Sequence, residues 1–456
     1  MPDAAGKSEL TVHERVYRQV RSLILSGALP NGAKLPPSRT FAGQLGVSRN
    51  TLLAVLDRMI ADGWLKARRG SGVYVTYVSP RPGSAFVARS VRPPSVPFFM
   101  GARATDLFPA QIWNKLQSRR WAGMSGPELE MGEAQGWPAL CEAIAAHVSL
   151  SRGLHCSPQE VVVTTSVPAA IDLTLRALGI AGGHGWVEEP GYHAPKQSLV
   201  NCGVIPAPIP VDDSGIDVVY GQRAFGNAKL AVVTSACQFP SCVTMSEERR
   251  GKLLAWAREN DAWIIEDDYD WQSTNYRELP PPISAIDNSR TIYVNSFNPI
   301  LFPALRIAYI ICPPSLLERF AAVRIGLDEY ANVPNQIVLA DFMNSGHLDD
   351  HLRRLASAYP ERRTALVDAM EREIPDIVVP HKQTAGTHVV VTLLRHSEDE
   401  FVALSRENGI VVEGMNVFRL NKSDTAQVLF GFAAFNPTAI RSAVKAIRRA
   451  TGGGGL

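Results

Sequence analysis

Residues 35–75 read LPPSRTFAGQLGVSRNTLLAVLDRMIADGWLKARRGSGVYV, and this stretch decides the fold of the first part of the chain. A short helix is predicted over 38–45, because Gly46 suits the left-handed conformation in which many helices end. Ser48 is a favourable N-cap for the next helix. Apolar residues recur at helical spacing in that second helix, namely Leu52, Val55, Leu56, Met59 and Ile60.

The flanking segments complete a small domain. Upstream, Val16, Val20 and Ile24 recur at every fourth position, which indicates an amphipathic helix. Downstream, strand candidates at 64–67 and 73–76 flank the hairpin tip Arg-Arg-Gly-Ser-Gly at 68–72. Three helices followed by a hairpin predict a winged helix-turn-helix domain over 10–77.

This first domain is basic, although the 456-residue chain has a net charge of only +2. Its acidic residues are Glu14, Asp57 and Asp62. Its basic residues are Arg15, Arg18, Arg21, Lys34, Arg39, Arg49, Arg58, Lys66, Arg68 and Arg69. Such a local excess supplies the sequence-independent attraction to phosphate on which DNA affinity rests. We therefore expect double-stranded DNA as a partner.

Polar side chains at two places suit DNA recognition. The first turn of a recognition helix meets base edges in the major groove, and here that turn carries Ser48, Arg49, Asn50 and Thr51. Arginine can bind guanine through two hydrogen bonds. The hairpin tip, with Arg68, Arg69, Gly70 and Gly72, suits contact with the DNA backbone or minor groove. The alternative is a small helical domain with a solvated basic face.

The stretch 35–75 resembles the GntR-type winged helix through nearly its full length. The resemblance implies that Arg39, Arg49 and Thr51 contact DNA, and that Gly72 does so through its backbone.

Two further regions follow. The segment 78–97 is rich in proline and predicts an extended linker that can reach about 60 Å. From 98 to 450, buried-strand candidates at 161–164, 230–234, 263–267, 291–295 and 307–311 alternate with helical runs such as 246–260. This alternation predicts an α/β domain with a mainly parallel sheet covered on both faces.

The second domain carries a series of motifs in a fixed order. They are Trp-Val-Glu-Glu-Pro-Gly-Tyr at 186–192, Gln-Phe-Pro at 238–240, Ile-Ile-Glu-Asp-Asp-Tyr-Asp at 264–270, Leu-Phe-Pro-Ala-Leu-Arg at 301–306, Gly-His-Leu-Asp-Asp-His-Leu-Arg-Arg at 346–354 and Gly-Phe-Ala at 431–433. Together with the GntR-type domain and the linker, they resemble the MocR/GabR subfamily. The resemblance implies a type I aminotransferase fold and a head-to-tail homodimer that presents two DNA readers to two half-sites of an operator.

The resemblance also implies a site for pyridoxal phosphate. Asp267 would keep the pyridine nitrogen protonated, and Tyr269 would contact the phenolic oxygen of the ring. Tyr192 would stack on the ring face, and Arg306 would pair with the phosphate.

Other parts of that site are altered. The family has Ser-Phe-Ser-Lys where this chain has Ser-Phe-Asn-Pro at 296–299, so Pro299 replaces the lysine that forms the Schiff base. The phosphate turn, usually Ser-Gly-Ser-Gln, is Thr-Ser-Val-Pro at 165–168. Cys237 replaces a histidine in a segment that normally reads Pro-Ser-His-Gln-Phe-Pro-Thr-Gly, and 427–430 lacks an arginine that often holds a substrate carboxylate.

These changes favour a transcriptional regulator over an enzyme. We expect its effector pocket to bind an unknown small molecule without an internal aldimine. The predicted pocket residues are Ser166, Tyr192, Cys237, Asp267, Tyr269, Asn298, Pro299 and Arg306. The alternatives are pyridoxal phosphate held non-covalently, an aminotransferase that uses another lysine (Lys196, Lys229 or Lys252), and a domain that only dimerises.

The cysteines and the N-terminus bear on the compartment. Six cysteines without paired metal-ligand spacing suggest a reducing environment and no metal site. The polar N-terminus lacks a secretory signal, and no apolar run reaches the roughly 20 residues of a membrane span. The expected location is cytoplasmic. Cys237 and Cys242 are either buried space-filling residues or a redox pair.

Overall fold

The structure is a computed structural model that describes residues 11–77, 96–130, 132–273, 279–382 and 385–451. These residues form two separate compact units, one on each side of the segment 78–95. Most of the predicted linker, 78–97, lies outside the described residues.

The first unit has the predicted order of elements. They are α1 (Val12–Leu25), α2 (Ser38–Gln44), α3 (Arg49–Ala61), β1 (Leu65–Arg68) and β2 (Gly72–Val75). Val16, Val20 and Ile24 are buried on α1, as the four-residue spacing predicts. They pack with Leu52 and Met59 of α3 in one hydrophobic core.

The hairpin corrects the predicted strand bounds by one residue. The two strands pair from Leu65 opposite Val75 to Arg68 opposite Gly72, so Arg68 and Gly72 are strand residues rather than part of the tip. Trp64 lies outside the strand because its amide donates to the carbonyl of Met59 at the end of α3. The turn that remains consists of residues 69–71.

The second unit contains the remaining helices and strands of the described chain. The helices are α4 (Ala110–Gly123), α5 (Pro138–Arg152), α6 (Val167–Leu178), α7 (His193–Asn201), α8 (Val218–Ala224), α9 (Glu247–Glu259), α10 (Ile283–Ile286), α11 (Leu317–Leu327), α12 (Val333–Asn344), α13 (His347–Glu373), α14 (Glu398–Glu407) and α15 (Pro437–Ala450). The strands are β3 (Val161–Thr164), β4 (His184–Glu189), β5 (Ile205–Asp212), β6 (Gly215–Ile216), β7 (Leu230–Val233), β8 (Trp263–Asp267), β9 (Thr291–Ser296), β10 (Ala308–Ile311), β11 (Val378–Pro380), β12 (His388–Leu393), β13 (Glu413–Gly414) and β14 (Gln427–Gly431).

The main sheet has the strand order β3-β10-β9-β8-β7-β4-β5-β6. Its centre is parallel, from β5 through β4, β7 and β8 to β9. The side chains of β3 alternate between the two faces of the sheet. Val161 and Val163 pack in one hydrophobic cluster, and Val162 packs in another. Both faces of the sheet are therefore covered, which explains why its strands are continuous apolar runs.

A second sheet, with the order β11-β12-β14-β13, was not predicted from the sequence. All of its pairings are antiparallel. His388 at the start of β12 lies opposite Gly431 at the end of β14. No helix in the described part of the chain is both long and apolar enough to cross a membrane.

Candidate functional site

Apart from Arg306, which precedes β10, the predicted pocket residues lie at or after the carboxyl ends of strands of the main sheet. Asp267 is the last residue of β8, Tyr192 follows β4, and Cys237 follows β7. In α/β folds ligands bind outside the carboxyl ends of such strands. The fold thus gathers side chains that are distant in the sequence, since Tyr192 and Asp267 are 75 positions apart.

Electrostatic interactions at Tyr192 show which side chains share this pocket. Burial raises the pKa of Tyr192, and Asp267 raises it further, while Arg103 and Arg306 lower it. The half-buried Tyr192 side chain is therefore within electrostatic range of one carboxyl group and two guanidinium groups. An aromatic face beside opposite charges suits a flat polar ligand.

Asp267 is 5% exposed. Desolvation, followed by the charges of Asp268, Glu188 and Glu266, raises its pKa well above the usual range. Among the described residues, no group donates a hydrogen bond to the Asp267 side chain. A buried carboxyl group in this state can pair with a ligand that supplies an N–H group or a positive charge.

The other end of the pocket suits an anion. Ser166 is the N-cap of α6 and accepts a hydrogen bond of 3.2 Å from the amide of Ala169. Asn298 donates to the Thr165 carbonyl at 3.3 Å and accepts from the Ile307 amide at 2.9 Å. Asn298 thereby ties the α6 turn to the segment of Arg306, whose exposed side chain supplies positive charge.

These residues fit the phosphate group and the ring nitrogen of pyridoxal phosphate, but position 299 supplies no amine. Pro299 is half-buried in the turn after β9. The three lysines considered above are all engaged by other groups. Lys196 Nζ contacts Glu189 and the Phe418 carbonyl at 3.0 and 2.9 Å. Lys229 donates to the Asn260 carbonyl and Lys252 pairs with Glu248, both at 2.6 Å.

Two pocket residues escaped the sequence analysis. Arg103 donates to Thr387 Oγ1 at 3.2 Å and hydrogen-bonds Tyr269. The Phe239 ring lies against the rings of Tyr192 and Tyr269, with centroids 6.0 and 5.9 Å apart. Arg103 lies in the loop before α4 and outside the quoted motifs, so nothing in the sequence marked it. Phe239 lies within the quoted motif at 238–240 and could have been found there.

The first unit presents the predicted DNA-contacting residues on its surface. Ser48 caps α3 by accepting from the Thr51 amide at 3.1 Å. Arg49 is exposed, and its Nε donates to Ser38 Oγ on α2 at 3.1 Å. This contact holds the first turn of α3 against α2, which is the arrangement a helix-turn-helix needs.

The β1–β2 hairpin, which is the wing of this domain, also presents positive charge. Arg68 stacks over the Tyr74 ring at 4.6 Å, while Arg69 is exposed at the turn. Gly70 and Gly72 have φ angles of 72° and 122°, which L side chains rarely adopt. Arg39 and Asn50 are exposed on α2 and α3.

Comparisons with known proteins agree with this architecture. Residues 12–75 match the family described as "Bacterial regulatory proteins, gntR family", and residues 101–447 match "Aminotransferase class I and II". The chain is 32% identical to the probable rhizopine catabolism regulatory protein MocR of Rhizobium meliloti, over 97% of this chain and 94% of that protein. It is 28% identical to the pyridoxine biosynthesis transcriptional regulator PdxR of Corynebacterium glutamicum, over 97% and 96%.

Solved structures support the fold of the second unit. A multiple substrate aminotransferase from Thermococcus profundus superposes with a TM-score of 0.69 and 26% identity, covering 78% of this chain and 91% of that one. The winged helix and the aminotransferase fold together define a DNA-binding transcriptional regulator with an aminotransferase-like domain. The chain belongs to the MocR subfamily of the GntR regulators.

Proposed function

We propose that this regulator senses a small anionic molecule in the pocket at the carboxyl ends of β4, β7 and β8, without covalent attachment of a cofactor. The observation that carries the proposal is the convergence of Asp267, Tyr192 and Arg306, in a chain whose position 299 is a proline and supplies no amine. The pocket keeps groups that bind a ligand and lacks the group that would attach it. In this proposal the domain is not catalytic.

The pocket has the charges that such a ligand needs. Arg306 and the amino end of α6 suit an anionic group. Asp267 suits an N–H group, and Tyr192 with Phe239 offers aromatic surface. Arg103 supplies a second guanidinium, which compensates for the arginine missing from 427–430.

Regulation by a ligand requires that the two winged-helix domains can adopt two different arrangements. We propose a head-to-tail homodimer in which the aminotransferase-like domains join the two chains and each winged helix contacts one operator half-site. The ligand shifts the equilibrium between the arrangements only by the difference in its affinity for them.

Borohydride reduction in the presence of pyridoxal phosphate tests the absence of covalent attachment. The full chain is incubated with pyridoxal phosphate, reduced and digested. We expect no phosphopyridoxyl group on any lysine of the pocket. The matched variant Pro299→Lys should gain the modification at position 299, which shows that the rest of the pocket accepts the molecule. Modification of Lys196 in the wild-type chain would overturn the proposal.

Non-covalent pyridoxal phosphate is the second candidate ligand, because Asp267, Tyr192 and Arg306 match its ring nitrogen, ring face and phosphate. When bound, it supplies an electron sink, and here these residues would hold and orient it. Native mass spectrometry of the full chain distinguishes the two candidates. A bound mass equal to pyridoxal phosphate that Arg306→Ala removes would favour the cofactor. A different bound mass would favour another effector.

A further inference from the structure

Two cysteines and a histidine form a contiguous group beside this pocket. Cys242 Sγ lies 3.2 Å from His388 Nε2, and the Cys237 and Cys242 side chains hydrogen-bond each other. Cys237 is 0% exposed and Cys242 is 6% exposed. Gly386 covers both thiols, since a Cβ atom there would lie 2.5 Å from Cys242 Sγ and 3.5 Å from Cys237 Sγ.

The backbone holds Cys242 in an unfavourable conformation. Its φ angle is 60°, in the left-handed region that favours glycine. The segment is closed by two hydrogen bonds, from the Gln238 amide to the Val243 carbonyl at 2.8 Å and from the Cys242 amide to the Gln238 carbonyl at 2.6 Å. A side chain at such a position costs on the order of 1–3 kcal/mol and is more frequent at functional sites. Simple space filling does not require it.

The two thiols are electrostatically unequal. The hydrogen bond from Cys237 lowers the pKa of Cys242, and His388 and Arg363 lower it further, although burial opposes them. The same hydrogen bond and burial raise the pKa of Cys237. These opposite shifts favour a thiolate on Cys242 that accepts a hydrogen bond from a thiol on Cys237. The thiolate is the form that reacts with oxidants.

The other cysteines have different surroundings. Burial raises the pKa of Cys141, Cys156 and Cys312 to about 12 in each case. Burial and the hydrogen bond to Asp172 raise the pKa of Cys202. These four stay protonated near neutral pH, so they serve as internal controls for selective oxidation.

We propose that Cys237 and Cys242 are a modification site, a dithiol that hydrogen peroxide converts to a disulfide. The Cys242 thiolate attacks one peroxide oxygen, the O–O bond breaks, and the leaving hydroxide takes a proton from His388 to become water. The Cys237 sulfur then attacks the Cys242 sulfenic acid, the S–O bond breaks, and a second water leaves with the Cys237 proton. Two thiols and one peroxide give one disulfide and two waters, and the thiols lose two electrons.

The burial of the pair limits the oxidant to a small molecule. Hydrogen peroxide is close to water in size, whereas an aromatic disulfide reagent is far larger. We expect peroxide to oxidise the pair in the native chain while the bulky reagent reaches Cys237 and Cys242 only after unfolding. The inference concerns the chemistry of the pair and does not depend on the proposed effector.

Peptide mass spectrometry tests the proposal directly. Both cysteines lie in the tryptic peptide 230–249, between Lys229 and Arg249. After peroxide treatment of the full chain and blocking of free thiols, we expect this peptide unblocked and two hydrogens lighter than its reduced form. Dithiothreitol should restore the reduced mass. Oxidation of Cys202 or Cys156 before this peptide, or no change in it, would overturn the proposal.

Variants separate the roles of the three residues. Cys237→Ser should accumulate a sulfenic acid on Cys242, which dimedone traps when the peroxide-treated chain is unfolded in its presence. Cys242→Ser should abolish the reaction of the peptide. His388→Gln should slow disulfide formation roughly tenfold at neutral pH, because the thiolate loses its positive partner. Cys202→Ser is the matched control and should react as the wild type does. Circular dichroism first establishes that each variant is folded, and an unchanged rate in folded His388→Gln would contradict the role of the histidine.

Discussion

Arg49 and Arg69 are both exposed arginines of the first unit, but they lie at different parts of the predicted DNA-binding surface. Arg49 is the first residue of α3 and is held by Ser38, whereas Arg69 lies in the turn of the wing. A side chain held in one orientation can distinguish bases, while a charge on a turn mainly attracts phosphate.

We predict that Arg49→Ala relaxes sequence selectivity, at a cost of about 1–3 kcal/mol in operator binding. Arg69→Ala should weaken binding to all sequences about equally and reduce the salt dependence. Gel shifts on operator and scrambled DNA over a range of salt concentrations measure both effects. Selectivity that survives in Arg49→Ala would place the base-reading contact elsewhere.

The N-cap residue of α3 allows the contribution of one helix cap to stability to be measured. Ser48 accepts from the Thr51 amide, so Ser48→Ala should destabilise the first unit by about 1 kcal/mol. Ser48→Asp keeps a capping oxygen and should retain most of this stability, but its negative charge should weaken DNA binding. Chemical denaturation and gel shifts measure the two properties separately. Equal stability of wild type and Ser48→Ala would show that the cap contributes nothing.

Helix α5 carries a half-buried histidine with an altered pKa. His147 Nε2 has no hydrogen-bond partner among the described residues, and the side chain lines a cavity of about 410 Å³. Burial lowers the pKa of His147 to about 4, although Asp349 opposes this. The His147 side chain therefore binds a proton more readily in the unfolded chain than in the folded chain.

The free energy of unfolding should consequently fall as the pH drops from 6.5 towards 4. His147→Gln cannot take up the proton, so we predict a shallower loss of stability over the same interval. Chemical denaturation at several pH values measures how steeply the free energy of unfolding changes with pH. The matched control is His13→Gln, which replaces an exposed histidine of the first unit. Identical slopes in wild type and His147→Gln would contradict the prediction.

The two units have separate hydrophobic cores, which allows their stabilities to be perturbed independently. Leu52 is fully buried in the first unit and Leu230 in the second. Truncation of a buried leucine to alanine costs about 2–5 kcal/mol. We predict two thermal unfolding transitions. Leu52→Ala should lower the midpoint temperature of one, and Leu230→Ala should lower that of the other. Calorimetry checks this, and a single transition that moves in both variants would mean that the units unfold together.

Local sequence patterns anticipated much of this architecture. The buried face and N-cap of α3 were evident in the stretch 35–75 because helix periodicity and capping depend on neighbouring residues. The strand bounds at 161–164 and 263–267 were confirmed, since strands buried on both faces are continuous apolar runs. The hairpin was placed one residue off because the bond from Trp64 to the end of α3 carries no sequence signal.

The absence of an amine at position 299 was visible in the sequence, because it follows from the residue type of Pro299 alone. The small antiparallel sheet was not visible, and neither was the place of Arg103 in the pocket. The contact between Cys242 and His388 joins residues 146 positions apart. Local periodicity cannot encode such pairings, because they form only when the packing of the two sheets and α13 brings distant segments together.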